Sequence, residues 1–393
     1  MKKKLLPALI VTGLIILVVI IMGITALINK YTPTKKTEDL KEYFNISSDD
    51  EAALIVDNEL SDYKAKIIDK KIYVDYKFVH DSLNSRFYWD ANENVLLYTT
   101  ASDIISAAAD SNSYSVTKQT NDFGYPIVKA TSDSALIALD YVKQYSNITF
   151  KSYDDPARIV ITSKWDEIDS ATVSKSTQVR VKGGIKSPIL KEVKKDDKIT
   201  ILDSGDKWDK IATEDGVIGY IKGKALSESK KTKLTNPDYE EETFTHIKKD
   251  KDICLAWNQV TSQSANSKVP QVISSTKGIN VMSPTWFYLN DNNGNLADIA
   301  SKDYVSYCHS QGIEVWGLFS NFENTDVDAA YVLTHTSTRT TLINQIMSAA
   351  FNYELDGVNI DFENITEAAY GDSYIEFIRE LAIKCHNNGI SLS

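Results

Sequence analysis

The octapeptide Asp356-Gly357-Val358-Asn359-Ile360-Asp361-Phe362-Glu363 holds the residues best suited to chemistry in this chain of 393 residues. Its pattern is an apolar strand that ends in carboxylates. Side chains alternate across a strand, which predicts Asn359, Asp361 and Glu363 on one face and Val358, Ile360 and Phe362 on the other. Two carboxylates on one face raise each other's cost of ionisation, so the inner one helps to hold a proton on the outer one near neutral pH. The chemistry predicted is general acid catalysis by Glu363 beside Asp361, with Asn359 and Asp356 completing the constellation.

Such a strand needs neighbours. Residues 252–260, 278–288 and 312–321 each read as a short apolar run bounded by turn signals, with polar helical stretches between them, an order that predicts a βαβα sheet. After the motif, residues 374–386 show helical periodicity through Ile375, Ile378, Leu381, Ala382 and Cys385. Asn387-Asn388-Gly389 stops that helix, and residues 390–393 begin another strand.

On these residues the motif resembles the glycoside hydrolase family 18 signature, in which Asp-Gly-x-Asp-x-Asp-x-Glu closes the fourth strand of a (β/α)8 TIM barrel. The resemblance implies that Glu363 protonates the glycosidic oxygen. It further implies that Asp361 orients the substrate's own N-acetyl group, the substrate-assisted exception to the two-carboxylate scheme. Asn359 stands where an aspartate is commoner, and the cell-wall and spore-associated branch of the family is similar to this chain in carrying Asn there. The barrel is expected over 248–393 and to be truncated after about five of its eight strands. Ser283-Pro284-Thr285-Trp286-Phe287, Glu314-Val315-Trp316-Gly317-Leu318 and Phe319-Ser320-Asn321 resemble strand ends of the same bacterial branch. At that rim Trp257, Trp286, Tyr288 and Asn321 are candidates for contacting sugar rings, although aromatics on barrel strands serve the core equally well.

The chain as a whole reads as multidomain. Lys2, Lys3 and Lys4 form a short cytoplasmic tail (1–4) before an uncharged apolar run at 5–28, which as a helix spans roughly 35 Å. That suffices for a bilayer core. Positive charge before the span predicts a cytoplasmic N-terminus and an extracellular remainder. A cleaved signal is the rival reading, but the run is longer than a signal's apolar region and no Ala-x-Ala site follows. A linker (29–45) leads to a small α+β module at 46–163, with helices expected at 102–110 and 132–145. Within it, Ile72-Tyr73-Val74-Asp75-Tyr76-Lys77-Phe78-Val79 and Phe87-Tyr88-Trp89-Asp90 resemble the copper amine oxidase N-terminal-like repeat, with no copper implied. Closely spaced strands at 170–228 predict a small β-barrel. It resembles a bacterial SH3 domain, through Trp208 and Gly219-Tyr220-Ile221, and the resemblance implies binding of a cell-wall peptide. Residues 229–247 read as a second linker.

The formal net charge of -11, without a basic stripe, argues against nucleic acid. Cys254, Cys308 and Cys385 make an odd set with no disulfide framework and read as buried small residues. The five histidines show no ligand spacing, and Cys308-His309 reads as one helical turn, so neither metal nor cofactor is expected. The expected function is a membrane-anchored glycosidase acting on β-1,4-linked N-acetylglucosamine glycans, with peptidoglycan favoured over chitin. A non-catalytic wall-binding protein or scaffold is the alternative.

Overall fold

A computed structural model describes the backbone of residues 2–393, with the side-chain surroundings of 10–366 and 370–393. Met1 and the side chains of Lys2, Lys3 and Lys4, the basis of the expected cytoplasmic tail, lie outside the described residues. The chain divides into two compact units. Residues 46–163, expected as one module, are shared between them.

The first unit comprises the chain up to Ile72 together with Asn147–Tyr239. It opens with the helix Lys2–Tyr31, whose portion Ile10–Tyr31 is long and apolar enough to cross a membrane. Strand Glu51–Val56 pairs parallel with Arg158–Thr162 and antiparallel with Glu59–Ile68. A separate seven-stranded antiparallel sheet runs from Glu167–Thr172 to Lys230–Lys233. That last strand corrects the linker expected from 229 onward, because Lys230–Lys233 pairs with residues 167–170. Its four residues are all exposed, which is why composition alone read them as a tether. One core joins the sheets, with Ala53 and Ile55 packed among Val179, Ile211, Val217 and Ile221. Gly216 sits at φ +82, where a Cβ would come within 2.8 Å of Val160, so this turn needs glycine.

The second unit comprises Tyr73–Ser146 and Glu240–Ser393. Its first part holds a five-stranded antiparallel meander, Phe87–Asp90, Val95–Thr99, Ile104–Ala108, Ser113–Val116 and Gln119–Asp122. The helix expected at 102–110 is therefore a strand. Its alanines favour a helix in isolation, but Ile105 and Ala107 are buried at a spacing of two, and pairing on both sides overrides the propensity. The helix expected at 132–145 is likewise shorter, a strand Ala135–Ala138 followed by the helix Leu139–Gln144.

The second part is built on a parallel sheet. Strands Leu255–Asn258, Val281–Leu289, Glu314–Ser320, Gly357–Asp361 and Ser391–Leu392 lie side by side in chain order. Intervening helices, Lys302–Ser310, Thr336–Tyr353 and Glu367–Asn387 among them, supply the crossovers. Phe287, Phe319, Leu342, Ile346, Val358, Phe377 and Leu381 share one buried core between sheet and helices. Cys308 and Cys385 are buried as expected of small apolar residues, whereas Cys254 is exposed, because it precedes the first strand.

Candidate active site

The motif strand Gly357–Asp361 is fourth in the parallel sheet. The helix before it, Thr336–Tyr353, ends at Glu354 in the left-handed conformation, which turns the chain back toward the sheet. Gly357 is required by its neighbour: a Cβ there would lie 2.7 Å from Cγ of the Trp316 indole on the adjoining strand. Val358 is buried against the helices, and Phe362 stacks on Phe377 at 5.5 Å with an interplanar angle of 17°. This apolar side fixes the register of the polar one.

Asp361 ends the strand. It is paired in register with Ser320, which is paired with Tyr288, so the three form one row across adjacent strands. Asp361 and Tyr288 are both half-buried. The row lies at the carboxyl end of the strands, the edge at which open parallel sheets present ligand-binding groups.

Glu363 is exposed and lies two residues beyond the strand. Regular alternation stops at Asp361, and a clamp takes over. The Glu363 backbone N–H donates to Asn321 Oδ1 at 2.8 Å, and Asn321 Nδ2 donates to the Glu363 carbonyl at 3.1 Å. Both bonds use the backbone, so they fix the residue without engaging its carboxylate. The next residue, Asn364, has φ +61, and its carbonyl accepts from Tyr370 Oη at 3.0 Å. Tyr370 and the positioning role of Asn321 were not legible from spacing, because each acts through backbone atoms of a loop. Tyr374 is held above the usual phenol range, by burial first and by the Asp361 charge second.

Asp356 does not belong to this site. It precedes the strand, five residues and therefore about 17 Å from Asp361 at strand rise. Its Oδ2 accepts from His309 Nε2 and from the Val315 N–H, each at 2.8 Å. These bonds tie the start of the motif strand to its neighbour.

Trp286 is also corrected from a sugar contact to a core residue. A bulge between Thr285 and Phe287 adds one residue to the strand and turns the indole toward the helices. There it is fully buried, donates from Nε1 to Asn266 Oδ1 at 2.8 Å and packs edge-on to Tyr304. Trp257 is 71% exposed, and Phe322, next to Asn321 and not singled out by the sequence, is exposed too. Among the described residues, no cluster of three or more His, Cys, Asp or Glu is placed to hold a metal ion.

No protein-family model and no curated protein matches this chain. Solved structures similar to parts of it include a class V chitinase from Pseudomonas fluorescens Pf-5, at 16% identity and TM-score 0.31, over 36% of this chain and 43% of that one. A chitinase from Chromobacterium violaceum ATCC 12472 matches at 18% identity and TM-score 0.30, over 36% of this chain and 44% of that one. The spore cortex-lytic enzyme SleL from Bacillus megaterium QM B1551 matches at 18% identity and TM-score 0.30, over 35% of this chain and 33% of that one. The chain thus spans less than half the length of each of these structures.

Proposed function

We propose that this chain is a glycosidase for β-1,4-linked N-acetylglucosamine-containing glycans, with Glu363 as acid and base and Asp361 as its electrostatic partner. The observation that carries the reading is the strand end itself. Asp361 closes the fourth of five parallel strands, and Glu363 follows on a backbone clamped by Asn321.

The chemistry follows from these positions. Glu363 gives its proton to the glycosidic oxygen as the bond to the anomeric carbon breaks. The substrate's acetamido oxygen attacks that carbon, and Asp361 stabilises the positive charge that develops on the acetamido group. Glu363, now a carboxylate, takes a proton from the water that opens the oxazolinium ring. The product keeps its anomeric configuration.

Peptidoglycan is the favoured substrate, because this site is joined in one chain to a proposed membrane anchor at 5–28, within the helix Lys2–Tyr31, and to a proposed SH3-like sheet around Trp208 and Tyr220 that would hold a cell-wall peptide. In this arrangement the N-terminus is cytoplasmic and the rest faces the wall. Asn359 favours a second reading, a glycan-binding protein without turnover, since an amide cannot exchange a proton with Asp361. Glu363→Gln separates the two. Loss of hydrolysis with retained glycan binding supports the enzyme, and unchanged turnover overturns it.

A further inference from the structure

The helix Thr336–Tyr353 begins at His335, which provides no side-chain cap. The cap comes from the last residue of the first strand of the five-stranded meander and from the turn after it. Asp90 Oδ2 accepts from both the backbone N–H and the hydroxyl of Thr336 at 2.6 Å, and Glu93 accepts from the Ser337 N–H at 3.0 Å. Asn92 Nδ2 donates to the Thr334 carbonyl at 3.1 Å. Carboxylates at a helix N-terminus satisfy its unpaired donors and oppose its dipole.

The same strand reaches the helix after the motif. Tyr88 Oη and Ser373 Oγ share a buried hydrogen bond of 2.8 Å. The Tyr88 ring lies 5.0 Å from the guanidinium of Arg339, which is fully buried and donates to Glu380 at 2.8 Å. Ser373 adjoins Tyr374, and Tyr374 and Phe377 both stack on Phe362, the residue between Asp361 and Glu363. One short chain of contacts therefore runs from the meander to the carboxylates: Tyr88, Ser373, Tyr374 with Phe377, then Phe362.

We infer that Tyr88 is a positioning residue for Asp361 and Glu363, and that the meander braces the motif strand. The inference rests on the glycosidase reading for its effect on turnover, but not for its structural content. Coupling along this path is read by a mutant cycle on the full chain.

Tyr88→Phe removes one hydroxyl. It is expected to lower kcat on a soluble N-acetylglucosamine oligosaccharide about fivefold with KM unchanged. It is also expected to speed amide hydrogen exchange over residues 360–366. Ser373→Ala should reproduce both changes, the double variant should be no worse than either single one, and Ser373→Thr, which keeps a hydroxyl, should restore them. Fully additive losses, or a lower Tm with unchanged exchange at 360–366, overturn the inference. Exchange is read whether or not the chain turns over. A wild type without hydrolysis would therefore defeat the glycosidase reading, while the exchange pattern still decides the brace. Should Tyr88→Phe fail to fold, the pair Ser373→Ala and Ser373→Thr decides it alone.

Discussion

The two ends of the motif strand carry the same kind of side chain and use it differently. At the start, Asp356 has its carboxylate committed to His309 and to the Val315 backbone, which locks two strands together. At the end, the hydrogen bonds that hold Glu363 are made by its main chain and by Asn321. A carboxylate that fastens structure is spent, whereas one whose backbone is fastened remains free to react. The spacing of acids in the sequence does not separate these cases. Their partners do.

The largest test of that contrast is Glu363→Gln, which should reduce kcat by roughly 10²–10⁴ with Tm unchanged, as measured by product release and thermal melting. Asp361→Asn comes next, with a loss of about a hundredfold in kcat expected, since on the proposed mechanism it removes the charge that stabilises the intermediate. Asp356→Ala should do the reverse: stability falls by about 1–2 kcal/mol in denaturant unfolding, while kcat of the folded protein stays put. An Asp356 variant that folds normally and loses turnover would erase the distinction between the two ends.

Glu376 provides the smallest and most specific check, on the helix that supports Phe362. It is fully buried with neither carboxylate oxygen hydrogen-bonded, and its nearest cation, Arg379, lies 3.5 Å away. Burial, and then the charge of Glu380, push its carboxyl from 4.5 up to about 7, against the opposing pull of Arg339 and Arg379. Tyr76 and Tyr88, from the segment Tyr73–Ser146 of the same unit, interact with its charge. The folded chain thus holds a proton that the unfolded chain releases. That contribution to stability is present below about pH 4.5 and is lost as pH rises to about 7. Glu376→Gln should flatten this dependence, raising Tm more at pH 8 than at pH 5. An equal shift at both values would mean that Glu376 does not titrate in this window.

Much of the parallel sheet was legible, because apolar runs punctuated by turn residues mark buried strands whatever surrounds them. The strand end at Asp361 was legible from the same run, whereas the loop that carries Glu363 two residues further on was not. Trp286 was not, since a single bulged residue reverses which face a side chain occupies and leaves no trace in composition. The strand Ile104–Ala108 was hidden by its alanines, and its conformation is decided by the strands on either side. Nothing in the local sequence marks Asp90 and Glu93 as caps for a helix. Their role depends on a helix more than two hundred residues later, which local sequence cannot announce.

The most direct measurement is NMR of the first product formed from matched β-1,4 glucosamine oligosaccharides, one N-acetylated and one not. If the acetamido group is the nucleophile, as the account proposes, the acetylated glycan is cleaved to a β-configured product and the other is not cleaved. An inverted product, equal cleavage of both glycans, or no cleavage of the acetylated one would contradict it.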